Sequence, residues 1–276
     1  MIVREEGMHG ITYVRYGDIA SRAAIFFHGH AGSARYLPEE DMGIPVLSFN
    51  RPGVAGSEIW GYYTMEEYLE RVRKVLDDLG VTEIHVTGHS VGGVYAQVFA
   101  EMYPDKVKTL TLLSSLPNLN SPLTDPLISK SLKRRRFLMF HGTLATRIYF
   151  RRMAITVETK IDEIIDERIR IAPKVDRSFM ETHRDLYRSA VLRAVTFKGR
   201  GAFYDAYAMY QKRPNIQIDP KIKVFVWGGL EDPVTPPHLA EYLSNTYNGR
   251  LHLIPEAGHM MFMAIYKDAL KEALES

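Results

Sequence analysis

Glu83-Ile84-His85-Val86-Thr87-Gly88-His89-Ser90-Val91-Gly92-Gly93-Val94-Tyr95-Ala96-Gln97-Val98-Phe99-Ala100 sets a serine between glycines, after a strand and before a helix. Residues 83–87 alternate and are β-branched, whereas residues 94–100 carry helical apolar spacing. Ser90 therefore falls on a tight strand-to-helix turn, the pattern of a nucleophile elbow. Glycines at 88 and 92 let neighbouring segments approach without a Cβ clash. The turn exposes the hydroxyl and aims the N-terminus of the following helix at a developing anion. A phosphate-cradling loop is the competing reading of a glycine-rich βα turn, but the stretch lacks the Walker Lys-Ser/Thr pair and any Gly-x-Gly-x-x-Gly.

Around this turn, strands and helices alternate. Met1 to Gly17 reads as two strands about Gly7–Gly10, followed by strands at 23–27 and 45–49. Thr64 to Leu79 has one apolar face, with Thr64 as N-cap, Glu67 three residues on, and Gly80 at its end. After the elbow come a strand at 106–113 and, much later, strands at 221–227 and 250–254, with helices about 240–247 and after His259. Such alternation predicts a parallel sheet covered by helices. Between Pro117 and about Arg213 the rhythm changes to prolines and then long Arg-rich helices, so residues 117–215 read as a helical lid inserted into a core of 1–116 and 216–276. An insertion at that point lies over the carboxyl edge of the sheet, where open α/β sheets bind ligands.

The chain has 276 residues, 46% of them hydrophobic, enough for one large core. No apolar run is long enough to span a membrane, and Met1-Ile2-Val3-Arg4-Glu5-Glu6-Gly7 carries acids where a signal peptide needs an apolar core. A cytoplasmic location is therefore expected. There is no cysteine, which excludes disulfides and thiolate nucleophiles and leaves serine as the candidate for covalent chemistry. The net charge of +2 is unevenly spread: residues 117–215 hold 20 Lys and Arg against 10 Asp and Glu, and the remainder 15 against 23. A basic cap on an acidic body could be a set of solvated helix faces or could attract anionic substrates.

A serine hydroxyl is a weak nucleophile, so Ser90 needs a base and the base an orienting acid. His259, in Pro255-Glu256-Ala257-Gly258-His259 after the last strand, and Asp232, in Gly228-Gly229-Leu230-Glu231-Asp232 after the one before, complete the order Ser, Asp, His that accompanies an elbow serine. Glu231, Asp205 and Asp219 are the competing acids. His85 and His252 fall inside strands, His89 is the variable residue of the elbow, His141 and His183 lie in the lid, and His238 stands near a helix start. Two backbone donors must stand ready for an oxyanion. The amide of Val91 is one, and the amide of His30 in His28-Gly29-His30-Ala31-Gly32-Ser33 is the other. A metal role for His28 and His30 has no third ligand near in sequence, and no metal or cofactor is expected.

His28-Gly29 after a strand, Asn50-Arg51-Pro52-Gly53-Val54-Ala55-Gly56-Ser57 after the next, the Ser90 elbow, Gly228-Gly229-Leu230-Glu231-Asp232-Pro233-Val234-Thr235-Pro236, and Ala257-Gly258-His259 together resemble the α/β-hydrolase superfamily. The match covers about the first 115 and last 60 residues and leaves the lid unplaced. The resemblance implies an α/β fold with an eight-stranded, mostly parallel sheet, helices on both sides and an inserted lid, and acyl transfer to water through a serine ester. Ser90 argues against haloalkane dehalogenases and epoxide hydrolases, which carry aspartate at the elbow. Prolyl iminopeptidases usually have tryptophan after the nucleophile, where this chain has Val91. The expected function is cleavage of an ester or related acyl bond of a small molecule. The alternatives are an iminopeptidase-like amide cleavage, carbon–carbon bond hydrolysis, and a ligand sensor that keeps a residual site.

Within the lid, Arg147 and Arg151 are four residues apart and share a helix face, beside Arg134-Arg135-Arg136 and several aromatics. They are candidates for binding a carboxylate-bearing substrate. No helix of the sequence clearly joins an arginine face to a broad apolar one, so no stable membrane insertion is expected, and no nucleic-acid motif is present. The oligomeric state stays open.

Overall fold

The computed structural model describes residues 3–141, 143–211, 213 and 215–276. Eight strands form one sheet: β1 (Val3–Met8), β2 (Ile11–Tyr16), β3 (Arg22–Phe27), β4 (Val46–Phe49), β5 (Glu83–His89), β6 (Val107–Leu113), β7 (Lys223–Gly229) and β8 (Arg250–Ile254). Their spatial order is β1-β2-β4-β3-β5-β6-β7-β8. β2 pairs antiparallel with β1 and β4, and all other neighbours are parallel. The parallel strands end at one edge, so the loops that follow them converge there.

Helices cover both faces. They are α1 (Met65–Asp78), α2 (Val91–Met102), α3 (Lys130–His141), α4 (Thr143–Ile171), α5 (Lys174–Thr182), α6 (Arg184–Ala194), α7 (Arg200–Met209), α8 (Pro237–Tyr247) and α9 (Phe262–Glu275). Strand β3 shows why two layers are needed: Ala23, Ile25 and Phe27 face the α1 and α2 side, where Phe27 meets Tyr68, Tyr95 and Phe99, while Ala24 and Phe26 turn the other way, Phe26 onto Phe262 and Tyr266 of α9. Helix α1 starts with the expected capping box, in which Thr64 and Glu67 exchange side-chain-to-backbone hydrogen bonds. It stops where Gly80 takes φ +72°.

Several boundaries differ from the sequence expectation for local reasons. The strand expected from Lys221 begins at Lys223, because Ile222 N–H closes a turn onto the Asp219 carbonyl. The helix expected from Ala240 begins at Pro237, whose ring suits the first helical position. The elbow strand runs on through His89. Met1 and Ile2 of the first expected strand, and Lys212 and Pro214 beside the expected domain boundary, lie outside the described residues.

Between β6 and β7 the chain forms α3 to α7, with a kink in α4 where Lys160 leaves helical geometry at φ −133°. These helices sit on the loops at the carboxyl edge. Phe150 of α4 meets the His30 ring edge-on at 5.8 Å, Arg193 of α6 accepts the Ala55 amide at its carbonyl, and the backbones of Gly53 and Gly201 touch. Among the described residues, no helix is long and apolar enough to cross a membrane.

Candidate active site

Ser90 joins β5 to α2 at φ +55° and ψ −121°, a conformation that L side chains seldom adopt. The turn closes only because of its glycines. A Cβ on Gly92 would stand 2.0 Å from the Phe27 carbonyl oxygen, and one on Gly88 2.3 Å from that of Gly92. The backbone is pinned: Ser90 N–H donates to Leu113 O, and Ser90 O accepts from Gly93 and Leu116.

His259 and Asp232 reach this serine from the loops after β8 and β7. Ser90 Oγ lies 3.0 Å from His259 Nε2, and His259 Nδ1 lies 2.9 Å from Asp232 Oδ2. The other Asp232 oxygen accepts the amides of Val234 and Thr235 at 2.8 and 2.9 Å, and the Thr235 hydroxyl lies 2.5 Å from Oδ2. Burial opposes the Asp232 charge, yet the hydrogen bonds from His259 and Thr235 outweigh it and hold the carboxyl below its ordinary value. Since an ionised carboxylate only accepts, Nδ1 of His259 carries a hydrogen toward Asp232, and Nε2 is the nitrogen that faces Ser90.

The loop of residues 28–30 runs beside the serine, with Gly29 so close that a Cβ there would meet Ser90 Cβ at 3.3 Å. Arg51, fully buried, grips this loop from beneath. Its Nη1 donates to His28 O and its Nη2 to Gly29 O, both at 2.7 Å. In a trans peptide the N–H points opposite to the C=O. With the Gly29 carbonyl held on Arg51, the His30 N–H is aimed away from Arg51. The Val91 N–H opens α2, where the helix itself supplies no acceptor.

Asp205 of α7 completes this underside. Its Oδ1 lies 2.8 Å from Arg51 Nε, an ion pair off the line of an ideal hydrogen bond, and accepts the Tyr95 hydroxyl at 2.9 Å. Its Oδ2 lies 3.0 Å from His30 Nδ1. Burial opposes the charge, but Arg51 and His30 hold the Asp205 carboxyl well below the ordinary range. Asp205, one of the competing acids of the sequence, is engaged by Arg51 and His30 and not by His259 among the described residues.

A second buried carboxylate, Asp176 of α5, was not found from sequence. It accepts the amides of Gly258 and Met260, on either side of His259, each at 2.6 Å. His89, read as the variable elbow residue, stacks on Phe262 at 3.9 Å and donates from Nε2 to the His259 carbonyl at 2.9 Å. Burial, with the neighbouring His259, pushes its imidazole well below the ordinary value. The His259 segment is thus held at both amides and at its carbonyl. Replacing Asp176 by alanine leaves the buried Gly258 N–H and the part-buried Met260 N–H without acceptors, which we expect to cost about 1–3 kcal/mol. A small displacement of His259 should lower kcat by about 10²-fold with KM little changed. Steady-state kinetics on folded Asp176→Ala checks this, and an unchanged kcat would remove the coupling.

The other sequence candidates lie elsewhere. Arg147 is exposed, over the rings of Tyr62 and Phe203 and bonded to the Tyr62 hydroxyl at 3.0 Å, and Arg151 is exposed on the same helix. Among the described residues neither bonds to Ser90, His259 or the 28–30 loop; Phe150, on the buried side of that helix, is what meets His30. Glu231 is exposed, its amide on Ala257 O, and Asp219 closes the turn before β7.

Comparison with known proteins bears on this arrangement. A family model described as alpha/beta hydrolase fold matches residues 24–264. The chain is 23% identical to a monoacylglycerol lipase, abhd6-B, of Xenopus laevis, over 93% of this chain and 76% of that one. Among solved structures, an esterase from Exiguobacterium antarcticum aligns at TM-score 0.69 and 15% identity, over 96% of this chain and 95% of that one. An enol-lactonase from Burkholderia xenovorans LB400 aligns at 0.67 and 15%, over 99% and 100%.

Proposed function

We propose, from the premise that this chain belongs to the α/β-hydrolase family and is a hydrolase, that it cleaves esters or related acyl bonds of small molecules through Ser90, His259 and Asp232. The observation that carries the reading is the unbroken line of contacts, Ser90 Oγ to His259 Nε2 at 3.0 Å and Nδ1 to Asp232 at 2.9 Å, at a serine held in a strained turn. His259 takes the Ser90 proton as Oγ bonds to the substrate carbonyl carbon. The amides of Val91 and His30 hold the oxyanion. The tetrahedral adduct collapses, His259 returns the proton to the departing alkoxide, and the acyl group stays on Ser90. Water then attacks the acyl carbon, giving its proton to His259; the second adduct breaks its bond to Ser90 Oγ, which takes that proton back from His259 as the acid leaves. Asp232 fixes the tautomer throughout. The helices of residues 117–215 act as the lid that shapes the acyl site.

The test is a panel of p-nitrophenyl acyl esters beside proline p-nitroanilide, with fluorophosphonate labelling. We expect multiple turnovers on at least one ester and label on Ser90. Turnover of the anilide alone would move the assignment to amide cleavage. A single acylation event without turnover would make the protein a sensor.

A further inference from the structure

Residues 126–157 contain eight Lys and Arg and no Asp or Glu. Lys133 and Arg136 pair with Asp125, but among the described residues Lys130, Arg134, Arg135, Arg147, Arg151 and Arg152 pair with no carboxylate. The same short region is where the surface is apolar. Of the thirteen exposed large apolar side chains among the described residues, seven lie between 137 and 155, among them Phe137 at 61% and Leu144 at 74% exposure. The end of α3 and the start of α4 are joined, the Thr146 hydroxyl donating to Leu138 O at 3.0 Å.

On α4 the two properties share one face. Leu144, Ile148, Arg151 and Ile155 follow each other at helical spacing and are all exposed, with Arg147 on one flank and Arg152 on the other. The sequence reading missed this because α4 is apolar on two sides: Phe150, Ala154 and Val157 point into the protein, so no single amphipathic face emerges. An apolar ridge flanked by cations that have no carboxylate partner among the described residues suits a layer that is apolar within and anionic at its surface. It does not suit a second copy of this chain, because a symmetric pair sets the face against itself, arginine to arginine. Nucleic acid would satisfy the cations and leave the ridge unused.

We propose that the α3–α4 surface docks the protein peripherally on anionic phospholipid, with Leu144, Ile148 and Ile155 entering the headgroup layer and Arg134, Arg135 and Arg152 meeting phosphates. The inference is independent of the hydrolase reading, and Ser90→Ala as background removes lipid turnover from its test. Co-sedimentation is measured with extruded vesicles of phosphatidylcholine, alone or mixed with phosphatidylglycerol. We expect binding only to the mixed vesicles, weakened by salt. Arg134→Glu/Arg135→Glu/Arg152→Glu and Leu144→Ser/Ile148→Ser/Ile155→Ser should each lower it by about tenfold or more, at unchanged Tm. Three results would overturn the proposal: no binding to the mixed vesicles, loss in the arginine variant but not the serine one, or a dimer in light scattering that the serine variant dissociates.

Discussion

Ser90→Ala will lower kcat on any ester that the protein turns over by about 10⁶-fold, because a nucleophile, its base and its orienting acid act as one unit and losing the first idles the rest. A residual rate about 10³–10⁴ above that of water should persist, since the amides of Val91 and His30 still polarise the carbonyl. The variant should fold as the parent does. Among the described residues Ser90 Oγ is bonded only to His259, and the strained turn is fixed by backbone bonds and by the glycines around it. Initial rates with matched Tm decide the matter. A loss of less than tenfold would mean that another group does the chemistry.

Asp205→Asn is expected to cost about 3–5 kcal/mol of stability, because it leaves the buried Arg51 guanidinium without its counter-ion. It should also lower kcat by about 10²–10³-fold, for a loosened Arg51 no longer holds the Gly29 carbonyl and the His30 amide loses its direction. The stability loss has a defined pH dependence. The Asp205 carboxyl is depressed when folded, so its contribution is complete above the unfolded carboxyl pKa and fades as pH falls through the lower, folded value. Denaturation curves of parent and variant should therefore converge in acid. The double variant Arg51→Met/Asp205→Leu separates the two effects, because it removes the buried charges together and should recover stability without recovering turnover. Recovery of both would show that the loop keeps its shape without the ion pair.

Sheet, elbow and the line from Ser90 to Asp232 were legible because each follows from short-range pattern: alternation in strands, glycines around a turn, polar residues just after strands. The buried carboxylates were not. Asp176 and its partners Gly258 and Met260 are more than 80 residues apart, and nothing in Pro173-Lys174-Val175-Asp176-Arg177 separates it from a solvated helix start. Asp205 did leave a signal, a lone charge in Gly201-Ala202-Phe203-Tyr204-Asp205-Ala206-Tyr207-Ala208-Met209, where a solvated face would carry several. His89 could not be read as a brace, because its partner is a backbone carbonyl, which every residue has.

Asp176 and Asp205 both belong to the helical segment between β6 and β7, and each reaches down to hold one half of the site. Exchanging that segment for another would withdraw the supports of His259 and of the 28–30 loop. On the proposed reading, in which these helices shape the acyl site, selectivity and turnover would be inherited together, and a chimera would have to carry a carboxylate to each of those two places.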